Sequence, residues 1–113
     1  MKELPLTFLE RVDAIIHANL GDEHFSIELL HKELDLSYSH THRKIKQKTG
    51  LTPSIYIRLK RLDKACFLLL HTEMNISEIA HRVGFNTPNY FSTCFSEHYY
   101  CTPYAYRKRH KVP

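Results

Sequence analysis

The stretch Ile76-Ser77-Glu78-Ile79-Ala80-His81-Arg82-Val83-Gly84-Phe85, followed by Asn86-Thr87-Pro88, decides how this chain folds. Asn75 precedes it as a helix cap, with Glu78 at capping-box spacing. Ala80 is small where two helices must cross closely. Four residues on, Gly84 can take the left-handed conformation that ends a helix and turns the chain. Phe85 and Phe91 then fill the corner, and Thr87-Pro88 restarts a helix with proline where its missing N–H costs nothing. The pattern is helix, tight turn, helix.

Working outward, the same punctuation recurs. Thr52-Pro53 and Thr102-Pro103 are two further helix starts. At an offset of 50, Thr52-Pro53…Tyr56 falls on Thr102-Pro103…Tyr106, Ile45 on Phe95 and Thr41 on Phe91. Upstream of the turn the offset is 49, with Leu30 on Ile79, Leu34 on Val83 and Leu36 on Phe85. The chain therefore carries two copies of one helix-turn-helix unit. In the first copy, His31 takes the small-residue position, which predicts a wider crossing, and Asp35 takes the glycine position, where aspartate is among the tolerated residues.

Helical periodicity covers nearly everything else. Leu6, Leu9, Val12, Ile16 and Leu20 predict a first helix stopped by Gly21, and Ser26 caps a second. A third runs from Ser37 or Ser39 to Lys48 and ends at Gly50. A long helix from Ser54 to Leu70 places Ile55, Leu59, Leu62, Cys66 and Leu69 on one stripe, with Arg58, Arg61 and Lys64 largely off it. The expected fold is all-α: seven short helices in two homeodomain-like subdomains, about 6–51 and 75–110, joined by a linker helix at about 53–70. Together they make a single domain over 1–113.

Charge is unevenly placed. Residues 1–36 hold eight acids against three bases, a net of −5, and residues 37–113 a net of +9. The steepest segment, 43–64, sets eight cations against Asp63 alone. Such asymmetry suggests a polyanionic partner, nucleic acid first. With 42% hydrophobic and 25% charged residues, the composition is that of a globular protein. The longest apolar run, Ala65–Leu70, is far short of a bilayer span. The opening MKELPLTFLE has two acids and no apolar core, so it does not read as a secretory signal. Three cysteines make no disulfide framework. The expected location is the cytoplasm, without membrane contact.

No phosphate loop, nucleophile–base pair or paired carboxylate stands out, so no enzyme is expected. His40 and His42 diverge on a helix; Cys94 and His98 share a face near Cys101 but lack a fourth ligand. Neither a metal nor a cofactor is expected.

The sequence resembles the DNA-binding domain of AraC/XylS-type transcriptional regulators over about residues 6–109. The residues that carry it are Ile76-Ser77-Glu78-Ile79-Ala80…Val83-Gly84-Phe85, Tyr90-Phe91…Phe95 and Thr102-Pro103…Tyr106-Arg107, with His42-Arg43-Lys44-Ile45-Lys46…Thr49-Gly50-Leu51-Thr52-Pro53 and Ile57-Arg58-Leu59…Ala65…Leu69-Leu70 upstream. Within the family, Arg43-Lys44-Ile45-Lys46 and Tyr56-Ile57-Arg58 look most like effector domains that end hybrid two-component sensors. The resemblance implies two recognition helices in successive major grooves of promoter DNA. A 17-residue connecting helix, roughly 26 Å at ~1.5 Å per residue, suits such spacing.

Its base-facing positions fall on Ser39, His42 and Arg43, with Lys46 one turn on for phosphate, and in the second copy on Pro88, Asn89, Ser92 and Thr93. Arg43 can donate twice to guanine, and Asn89 can pair with adenine. Lys44, Lys46 and Lys48 cannot all face DNA from one short helix. Thr93 stands where an arginine is common, Ser96-Glu97 where lysines are usual, and Tyr100 where a glycine ends the helix. The second copy is therefore expected to contribute less, with Arg107 and Arg109, and the helix starts at Ser54 and Thr87, as phosphate contacts. The chain then reads either as a fragment that follows an upstream sensor domain or as a stand-alone regulator, with RNA polymerase as a further expected partner in both cases. The alternative is a helical protein-interaction module whose working surfaces are the acidic residues 1–36 and the C-terminal tyrosines.

Overall fold

The computed structural model describes residues 5–111. The domain limits 1 and 113, and the first four residues of the opening segment, lie outside the described residues. Seven helices and no strand are found among them: α1 Phe8–Ala18, α2 Ile27–Glu33, α3 Tyr38–Thr49, α4 Pro53–His71, α5 Ile76–Arg82, α6 Pro88–Tyr99 and α7 Pro103–His110. All three Thr-Pro pairs open helices with proline as the first residue.

The chain forms two compact units. One holds the residues up to Asn19 with Phe25–Lys60, the other Leu20–His24 with Arg61 onward. In the first, α2 packs on α1 and on α3. Val12, Ile16, Leu30, Leu34, Thr41 and Ile45 fill its interior. In the second, α6 packs on α5 and on α7. Its core centres on a run of rings, Phe85–Phe91 at 5.2 Å and Phe91–Phe95 at 5.8 Å, with Tyr106 edge-on to Phe95 at 5.5 Å.

Each unit contains the same turn. Asp35 (φ 57°) and Gly84 (φ 88°) are both left-handed. The Leu36 N–H donates to the His31 carbonyl at 3.1 Å, and the Phe85 N–H to the Ala80 carbonyl at 2.9 Å, the long-range closure of a Schellman motif. His31 thus leaves the turn's hydrogen bonding intact: its half-buried ring lies with Nδ1 2.9 Å from the Leu36 carbonyl oxygen. Buried Thr41 and Ile45 of α3 correspond to buried Phe91 and Phe95 of α6, as the offset of 50 requires.

Local details differ from the sequence reading. Helix α1 ends at Asn19, whose Nδ2 donates to the Ile15 carbonyl at 2.8 Å; Gly21 lies beyond it in the other unit. Leu6 precedes the α1 cap, Thr7, and is exposed rather than inward. Ser26 occupies the cap position of α2 but gives its hydroxyl to Glu28 at 2.7 Å instead of accepting a backbone N–H. Asn75 does accept from the Glu78 N–H at 2.8 Å, yet Glu78 returns to the Asn75 side chain and not to its backbone. The full reciprocal capping box is at Thr7 and Glu10, with bonds of 3.0 and 3.1 Å. That bonding holds the Glu10 carboxyl below the usual carboxylate range.

Candidate nucleic-acid interface

Helix α3 buries Thr41 and Ile45, so the opposite side faces water. Ser39, Arg43 and Lys46 are exposed there and His42 is half-buried. These four positions follow the i, i+3, i+4, i+7 spacing of one helix face. Ser37 caps the helix, accepting from the His40 N–H at 3.1 Å. The first copy's predicted base-facing residues are therefore brought together on one row, with Lys46 continuing it.

Helix α6 repeats the arrangement. With Phe91, Cys94 and Phe95 buried, Asn89 and Thr93 are exposed and Ser92 and Ser96 half-buried on the equivalent row. Pro88 is half-buried at its start. Thr87 spends its hydroxyl on the helix end, accepting from the Tyr90 N–H at 3.1 Å. No side chain on the row Asn89, Ser92, Thr93, Ser96 is charged, whereas the α3 row carries Arg43 and Lys46. Ser54 is exposed in the first turn of α4.

The basic segment 43–64 is less available than its charge count implied. Lys44 lies over the Phe8 ring at 4.5 Å, Lys64 over Phe67 at 4.6 Å, and Lys60 beside Asp13 at 3.5 Å. Arg61, read from the helical stripe as largely off the apolar face, is buried. One of its terminal nitrogens donates to the carbonyls of Leu20 and of Val83, the latter at 2.8 Å, and the other to that of Asp22 at 3.0 Å. Burial lowers its pKa, with Asp22 opposing the shift. Arg43, Lys46 and Lys48 are the exposed cations of the segment.

Arg107 also has an internal task. Its Nε donates to the Leu69 carbonyl at 2.9 Å and an Nη to that of Thr72 at 3.3 Å. Lys111 adds a bond to the same Thr72 oxygen at 3.0 Å. Both satisfy carbonyls that the end of α4 leaves without helical partners. Arg109 is exposed. Sequence reasoning named neither Lys111 nor the carbonyl-binding role of Arg61, because both depend on residues distant along the chain.

Among the described residues, no group of three His, Cys, Asp or Glu side chains could hold a metal ion. None of the described helices is long and apolar enough to cross a membrane.

Two helix-turn-helix units, each presenting a polar row on its second helix, define a DNA-reading module. Residues 30–109 match the helix-turn-helix domain family, and the chain belongs to it as an AraC-type DNA-binding domain of transcription regulators. The chain is 36% identical over 102 residues to histidine kinase P4 of Formosa agariphila, covering 90% of this chain and 7% of that protein. It is 41% identical over 86 residues to the HTH-type transcriptional activator RhaS of Escherichia coli O1:K1, covering 73% of this chain and 31% of that one. The DNA-binding domain of the global transcriptional factor AdpA, solved with a target DNA, superposes with a TM-score of 0.82 at 27% identity, covering 89% of this chain and 90% of that one. The chain thus spans less than a third of the length of either curated relative. Its family is one of DNA-binding domains and not of enzymes.

Proposed function

We propose that this chain reads promoter DNA with α3 in one major groove and α6 in the next. Ser39, His42 and Arg43 face bases in the first half-site, and Asn89, Ser92 and Thr93 in the second. The observation that carries this is the pair of equivalent exposed rows, at one register on two copies of one motif. Arg43 reads guanine through its two-pronged donor set. Lys46 and the helix starts at Ser54 and Thr87 meet phosphates. Arg107 and Arg109 meet phosphates beside the second copy, Arg109 with its whole guanidinium and Arg107 with the donors left by its bonds to the Leu69 and Thr72 carbonyls. The α3 half supplies most of the charge and the α6 half a weaker, neutral readout.

In this reading the domain is the cytoplasmic output end of a longer regulator. The match to a segment of a histidine kinase supports a sensor upstream. RNA polymerase is the further partner, approached from the acidic first helix.

Selection of duplexes from a random library at physiological salt tests the proposal. Two short blocks about one helical turn apart support two-groove reading. One block alone would restrict base readout to α3, and binding that vanishes with salt and enriches nothing would overturn the proposal.

A further inference from the structure

The rings of Tyr38 and His42 lie on successive turns of α3, stacked at 6.3 Å between centroids with 25° between planes. The His31 ring from α2 also meets Tyr38, standing edge-on at 6.0 Å. His31 is in turn anchored, with Nδ1 2.9 Å from the Leu36 carbonyl oxygen inside the turn. Tyr38 thus contacts one ring beside the turn and one on the polar row. Tyr38 is 45% exposed for a residue of its size, at the first position of the helix, where side chains of a reading helix approach bases.

A half-exposed histidine on a helix keeps freedom about its side-chain torsions, and base readout must freeze it. A flat neighbour one turn away removes part of that freedom before DNA arrives. Tyr38 suits this task because its own ring is held from the α2 side by His31. The equivalent positions in the second copy, Pro88 and Ser92, carry no aromatic pair.

We propose that Tyr38 is a positioning residue for base readout: braced by His31, it holds the His42 imidazole in one orientation on the α3 row and so sets how sharply one base pair is discriminated. This rests on α3 entering DNA. It adds a specificity determinant that makes no base contact of its own.

The test is duplex selection by the wild type and the variants Tyr38→Phe, Tyr38→Ala, Tyr38→Leu, His42→Ala and Tyr38→Ala/His42→Ala, each checked for its melting temperature. His42→Ala is expected to flatten preference at one base pair by on the order of fivefold or more. Tyr38→Ala flattens the same position, Tyr38→Phe restores it, and the double variant is no worse than His42→Ala. The salt slope stays unchanged. Tyr38→Leu, which keeps a good helix former without a ring, behaves as Tyr38→Ala and covers the case in which alanine unsettles the fold.

Loss at a different base pair, equal loss on all sequences, or failure of Tyr38→Phe to restore would overturn the inference, since Tyr38 would then touch DNA itself. If the wild type enriches no site, it is the reading of α3 as a DNA-entering helix that fails, and this inference falls with it.

Discussion

The guanidinium of Arg61 occupies the space that a side chain on Gly84 would need. A Cβ at position 84 would overlap both that group and the backbone oxygen of Leu20. The glycine also sits at φ 88°, where other residues are disfavoured. Gly84→Ala is therefore expected to cost about 3 kcal/mol or more in urea unfolding, combining strain with lost carbonyl bonding. Arg61→Met, which keeps the volume, strands the carbonyls of Leu20, Asp22 and Val83 and is expected to cost a similar amount. A loss under half a kcal/mol in either would show that water replaces the guanidinium freely.

Tyr100 ends α6 in the left-handed conformation, φ 60°, at the position where Gly50 ends α3 with φ 77°. The residue is 91% exposed, so it gains little packing for that conformation. Tyr100→Gly should stabilise the fold by about 1 kcal/mol, the left-handed cost of a residue with a Cβ less the entropy of glycine. Gly50→Ala should destabilise by a comparable amount. Thermal melts of the two variants should shift in opposite directions.

Thr41 is fully buried and its hydroxyl has no hydrogen-bond partner among the described residues. Thr41→Val keeps the shape and removes the unpaired group, and a gain of about 1 kcal/mol is expected by denaturant titration. A loss would reveal a bond that the hydroxyl makes in solution.

For DNA binding, Arg43→Ala should cost about 1–3 kcal/mol on the selected site and much less on random duplex, as measured by anisotropy. Thr93→Arg places the α3 chemistry on α6 and should steepen the log–log salt dependence by about 0.9, one phosphate's worth, if the new arginine meets the backbone. An unchanged slope with altered base preference would mean that it meets a base instead.

High pH should unfold the second unit's aromatic end. Burial raises the pKa of Tyr99 from its ordinary 10.0, and that of the Cys66 thiol from 9.0, with the hydroxyls of Tyr99 and Tyr106 around the thiol. Groups whose folded pKa is raised stay protonated in the fold while the unfolded chain ionises. Their stabilising effect is complete below about pH 9 and is lost as pH climbs past those ordinary values. Tyr99→Phe should flatten the stability curve above pH 10 while leaving it unchanged in shape near neutrality.

Much of this architecture was legible because its signals are local. Proline at a helix start needs only its own ring and the preceding threonine, and all three such helices begin where Thr-Pro stands. The left-handed turns at Asp35 and Gly84 follow from which residues tolerate positive φ. The rows on α3 and α6 were legible through the family resemblance, and the repeat equated the residues Thr41 and Ile45 with Phe91 and Phe95, which the fold buries. Capping was less legible: Ser26 had the right identity and place, but its hydroxyl went to Glu28 instead.

What the sequence by itself determined, then, is the order of helices and the duplicated turn, since each depends on neighbours within a few residues; the two polar rows came from its resemblance to a family. The tertiary structure alone decided where the charges went. Arg43, Lys44, Arg61 and Arg107 look alike in a linear reading, yet one is exposed, one lies over a ring and two bind carbonyls. The reason is range. The carbonyls that hold Arg61 stand 22 to 41 residues away, and those that hold Arg107 stand 35 to 38 away. Only folding brings those acceptors together, and a buried cation is held where its donors find them.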